Sequence, residues 1–167
     1  MLIKLIGVMV ILCGTTLLGA EYANATQAKV DNYKAISDFF GGISEAVKLG
    51  KSDISRIISD CATGLEEDMK YAMIDYANAL MNSDTDSLTN AFNKCFTDVT
   101  GIEYETLKEF AKAWDAYGAT GGIKCAEEIK IKTYERYTEL MKNNINDKKI
   151  FVYSGFFAGL FIALIMI

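Results

Sequence analysis

The last eighteen residues, IFVYSGFFAGLFIALIMI from Ile150 to Ile167, carry no charge. No other feature limits the possible folds as strongly. As helix this run is about 27 Å long, close to the ~30 Å hydrocarbon thickness of a bilayer. Eleven of its residues are Leu, Ile, Val or Phe. Together these favour insertion by about 3–7 kcal/mol. Only Tyr153 and Ser154 interrupt the run, so a membrane-spanning helix is expected over residues 150–167. Leu2 to Ala20 is also apolar apart from Lys4, Thr15 and Thr16. A second spanning helix is expected over residues 1–20, with Lys4 reaching back to the interface. The alternative is a cleaved signal peptide, because Ala23-Asn24-Ala25 has the A-x-A form of a cleavage site. The mature chain would then be an extracytoplasmic helical protein anchored only at its C-terminus.

The flanking charges choose between these. Lys148 and Lys149 stand directly before the C-terminal run, and nothing charged follows it. The positive-inside rule therefore places residues 21–149 in the cytoplasm. Lys29, Lys34 and Lys142 lie on the same side, against Lys4 alone on the other. Within the last run, Gly155-x-x-x-Gly159 allows close backbone approach to another membrane helix. Thr15-x-x-x-Gly19 supplies a matching face, within one chain or between chains.

Between the two runs the apolar residues recur at three and four, the helical period. Val30, Tyr33, Ile36, Phe39, Phe40, Ile43 and Val47 form one stripe that Gly50 ends. Ser52 is expected to cap a short helix bearing Ile54, Ile57, Ile58 and Cys61. Leu65, Met69, Met73, Tyr76 and Leu80 continue the pattern as far as a loop and cap at Asn82–Asp86. Leu88, Phe92, Cys95, Phe96 and Val99 follow up to Gly101, then Leu107, Phe110, Trp114 and Tyr117 up to Gly118. A final stripe from Ile123 to Met141 leads into the C-terminal run. Proline is absent, and short loops make successive helices antiparallel neighbours. The expected fold is an all-α antiparallel bundle of about six helices, residues 21–149, flanked by N- and C-terminal transmembrane helices.

Several function classes are disfavoured. A net charge of −5 with no long basic run argues against nucleic acid. Histidine is absent, which removes the commonest general base and metal ligand. Gly50-Lys51-Ser52 imitates the end of a phosphate-binding loop, but Glu45 stands where its first glycine belongs. Asn82-x-Asp84-x-Asp86 imitates a calcium loop, but Ser87 and Asn93 occupy the glycine and closing acidic positions. Glu127 and Glu128 read as a solvated face with a Glu128/Lys132 pair. Cys61, Cys95 and Cys125 share no C-x-x-C spacing, and Cys13 lies in the first apolar run; free thiols in a reducing compartment fit. The aromatics at helical spacing read as core. No catalytic, cofactor-binding or metal residue is expected, no small-molecule substrate, and no enzyme activity.

Lys4-Leu5-Ile6-Gly7, Thr15-Thr16 and Gly19 open the chain, and Ser154-Gly155-x-x-x-Gly159-Leu160 closes it. Glu45, Gly50, Leu107-x-x-Phe110 and Gly118 stand between. In this order and placement the chain resembles the stage III sporulation protein AB family of endospore-forming bacteria. It departs from the family where Ser52-Asp53-Ile54 replaces a proline-leucine pair, where Lys124 and Cys125 stand in place of a glutamine, and in having less arginine. The family is similar to the inner-membrane platform protein of type II secretion, whose cytoplasmic domains are antiparallel helical bundles. The resemblance implies a non-enzymatic platform in the channel complex between mother cell and forespore. Such a platform would sit in the mother-cell membrane and couple a cytoplasmic secretion-type ATPase to other channel subunits.

Overall fold

A computed structural model describes residues 2–82, 87–97 and 99–166, without the side chains of residues 2–6, 8, 144–148, 163 and 166. Among the described residues there are five α-helices and a short 3-10 turn: α1 (Leu2–Lys48), α2 (Ile54–Cys61) running into the turn Ala62–Gly64, α3 (Glu67–Asn82), α4 (Leu88–Cys95) and α5 (Ile102–Met166). Among the described residues there is no strand, and the all-α class stands. The expected boundaries at residues 20/21 and 149/150 fall inside α1 and α5, where the helix runs on unbroken. The chain divides into two compact units, residues 32–136 and residues 1–31 with 137–167.

Each helix of the first unit ends for a local reason. Gly50, at φ +84°, stands just past the end of α1. Its N–H donates to the Val47 carbonyl while the Lys51 N–H reaches back to Ala46, the Schellman arrangement that satisfies the last carbonyls. Asp53, not Ser52, caps α2: its carboxylate accepts from the Arg56 N–H at 3.2 Å and from the Ser55 hydroxyl at 2.6 Å. α3 begins with Glu67 and Asp68 in its first turn, where the helix dipole favours negative charge. Ser87 caps α4 by accepting from the Asn90 N–H. Asp84 and Asp86, expected in that role, lie outside the described residues. At Gly118 the backbone leaves the helical region for φ 62°, ψ −153°, bending α5 into an arm of residues 102–117 and a second arm beginning at 119.

The periodic stripes meet in the core of this unit. Ile36, Phe40 and Ile43 of α1, Ile57 and Ile58 of α2, Met73 and Tyr76 of α3, and Leu107, Phe110 and Ile129 of α5 are all essentially inaccessible. Phe40 meets Phe110 edge-on with ring centroids 5.7 Å apart, and Phe110 meets Trp114 at 5.8 Å. Of the expected stripes, Val99, Tyr117, Tyr134 and Met141 are exposed instead.

The expectation of two membrane-spanning helices is not supported by the fold: among the described residues, no helix is long and apolar enough to cross a membrane.

Candidate functional site

The second unit pairs the two chain ends as antiparallel helices. Tyr22 stacks obliquely on Phe151, with ring centroids 4.7 Å apart. Further along, Gly19 faces Phe151 and Gly155, Thr15 faces Gly155 and Gly159, and Leu12 faces Gly159. A Cβ on Gly19 would lie 2.6 Å from the Phe151 carbonyl oxygen, so no side chain fits there while the helices hold this spacing. Thr15, Gly19, Gly155 and Gly159 therefore come together within one chain. The hydroxyls along this seam turn back on their own helices: Thr15 donates to the Ile11 carbonyl at 3.0 Å, Thr16 to Leu12 at 2.7 Å and Ser154 to Phe151 at 3.0 Å. Away from the seam the surface is apolar. Leu17, Leu18, Phe157, Phe161, Leu164 and Ile165 are each more than half exposed. Lys149 is exposed at the start of the apolar part of α5; the side chains of Lys4 and Lys148 lie outside those described.

In the bundle, Lys48 pairs with Glu127, joining the end of α1 to α5. The Lys48 ammonium holds the Glu127 carboxyl below its usual range. Among the described residues the expected Glu128/Lys132 ion pair does not close, and the neighbouring Glu127 takes the long-range partner instead. Ser44, one turn before Lys48, is buried with no hydrogen bond of good geometry to its hydroxyl, although it lies near enough to Glu127 to help hold that carboxylate down. Lys51 of the phosphate-loop imitation faces Asp60 at 4.0 Å, and its Gly50 closes a helix. Among the described residues no cluster of metal-ligating side chains forms. All four cysteines are free, and burial pushes Cys125 up to about 11.

Asp115 was not legible as a site residue. From α5 its carboxylate accepts from the backbone N–H of Leu88 at 2.8 Å and Thr89 at 2.9 Å and from the Ser87 hydroxyl at 2.8 Å. It closes the amino end of α4 from 27 residues away. These bonds outweigh burial and hold its pKa below the ordinary 3.8. A non-local cap leaves no spacing signal in sequence.

Taken together, the described features define an all-helical protein with a core-forming bundle and a separate antiparallel pair of apolar helix ends. The chain belongs to the stage III sporulation protein AB family, whose family model matches residues 4–167. Membership gives it a role in sporulation. No curated protein and no solved structure matches the chain.

Proposed function

We propose that the chain is a non-enzymatic platform subunit of the sporulation channel between mother cell and forespore. Its paired helix ends hold it at the mother-cell membrane, and its bundle, in the cytoplasm, couples a secretion-type ATPase to the membrane components. The observation that carries the membrane part is the apolar exposure of the helix pair. Large side chains such as Leu17, Phe157, Phe161 and Ile165 cover its outer surface, and a patch of this kind marks contact with lipid or protein. The self-satisfied hydroxyls of Thr15, Thr16 and Ser154 suit surroundings that offer no water. Lys149 beside the apolar segment fits a cytoplasmic flank.

The platform and ATPase parts rest on the family's similarity to the type II secretion platform, whose cytoplasmic domains are helical bundles. The test is affinity purification of the full chain from detergent-solubilised membranes of sporulating cells. Recovery of a secretion-type ATPase in near-stoichiometric amount is the expected result. Recovery of the chain as a lone monomer would count against the platform role.

A further inference from the structure

The bend of α5 builds a groove that the platform reading does not use. Glu109 on the first arm and Lys124, Cys125 and Glu128 on the second line it, with Tyr117 at the bend, around a volume of about 530 Å³. Tyr117 is 77 % exposed, and the backbone around it sets where its side chain is rooted. Gly118 supplies the φ 62° that turns the chain, and Gly121, which could not carry a Cβ without meeting that of Tyr117, lets the second arm lie against the root of the ring. An aromatic side chain held this way and left in water is the kind of residue that dominates binding energy at protein interfaces.

The groove is also acidic. Glu109 and Glu128 come from opposite arms, yet both act on the thiol of Cys125, adding to the upward push of its burial; Lys132 offsets them in part. The two carboxylates therefore bear on one wall, and among the lining residues only Lys124 opposes them. A flat aromatic face beside paired carboxylates suits a guanidinium, which stacks on the ring and hydrogen-bonds carboxylates in its own plane. An ammonium does the first without the bidentate second. Anionic partners, whether lipid headgroups or nucleic acid, would meet the carboxylates unfavourably.

The geometry points to a docking groove at the α5 bend that receives an arginine side chain of a protein partner, stacked on Tyr117 and held by Glu109 and Glu128. This rests on the platform reading only in supposing that the bundle meets another protein.

The test uses the full chain in non-ionic detergent micelles, observed by backbone NMR. It is titrated with a synthetic amphipathic peptide carrying one central arginine, and with the same peptide carrying citrulline there. The arginine peptide is expected to produce saturable shifts centred on Tyr117, Gly121 and Cys125. Citrulline, isosteric but uncharged, should bind about tenfold more weakly or worse, as a lost charge-assisted pair requires. Glu109→Gln with Glu128→Gln should cause a similar loss, Tyr117→Phe should retain binding, and Asp38→Asn, on α1, should change nothing. Each variant's spectral dispersion reports that it is folded. Equal binding of the citrulline peptide, binding that survives the double glutamine variant, or shifts at the groove produced instead by anionic vesicles would overturn the proposal. Because the probe is a peptide, its outcome is independent of whether an ATPase co-purifies.

Discussion

Gly19 and Gly155 meet backbone to backbone: a Cβ on Gly155 would lie 3.5 Å from the Gly19 Cα and 2.5 Å from the Thr15 carbonyl oxygen. Substituting Gly155→Ile must push the two helices apart, at the cost of about 1–3 kcal/mol typical of overpacking. Gly14, by contrast, has open space where its side chain would go. Gly14→Ala should be neutral or stabilising by up to about 1 kcal/mol, the helix preference for alanine. Thermal unfolding of both variants in the same detergent checks the contrast. Equal effects would mean that the seam does not hold the pair.

Asp115→Ala removes a carboxylate from the amino end of α4 and should destabilise the bundle by about 1 kcal/mol, the usual value of a helix cap. The pH dependence follows from its lowered pKa. The folded state holds the ionised form more tightly than the unfolded chain does, so the contribution is in place above the ordinary 3.8 and is lost as pH falls through the lower folded value. The gap in unfolding free energy between the parent chain and Asp115→Ala, measured in urea, should be constant from pH 7 to 5 and close below that. A gap that persists at pH 2 would show that the carboxylate's charge is not what matters.

Gly118→Ala should cost about 1–3 kcal/mol, because φ 62°, ψ −153° is a region that only glycine occupies without strain. If urea unfolding shows no loss, the bend does not depend on that backbone conformation.

Tyr76 is wholly buried, and its hydroxyl donates to the Leu88 carbonyl at 2.9 Å. Burial pushes its ionisation far above the ordinary 10.0, with Asp115 adding to the effect. Tyr76→Phe keeps the ring contacts but loses this hydrogen bond, for a loss of about 0.5–1.5 kcal/mol. The ultraviolet titration of the folded chain should show one tyrosine that ionises only on alkaline unfolding, and that signal should vanish in the variant.

What the sequence made legible and what it hid separate along physical lines. Core stripes depend on local periodicity, so Ile36, Phe40, Ile57, Met73 and Phe110 could be read directly. The stops at Gly50 and Gly118 could be read too, because a positive φ favours one residue type. Caps were harder. Ser52 and Asp53 are both good capping residues, and only the backbone's exit angle selects Asp53. Asp115 and the Lys48–Glu127 pair join segments far apart in sequence, and nothing in the spacing announces them. Tyr117 belongs by period to the stripe of Phe110 and Trp114, but the bend one residue later turns it outward. The face shared by Thr15, Gly19, Gly155 and Gly159 was visible as small residues four apart, while whether the two segments pair within one chain or between chains was not.

The continuous α1 bears on the fate of the N-terminus. Ala23 is 1 % exposed, and helix runs unbroken through Ala23-Asn24-Ala25, whereas cleavage after Ala25 would remove half of the Gly19/Gly155 seam. Intact mass of the chain from sporulating cells should therefore include residues 1–25. A mass lacking them would favour the signal-peptide alternative.

Attachment to the membrane through the helix pair is tested by alkaline carbonate extraction of membranes from sporulating cells. The full chain should stay in the pellet after extraction and enter the supernatant only with detergent. Release by carbonate alone, or recovery in the soluble fraction from the start, would contradict it.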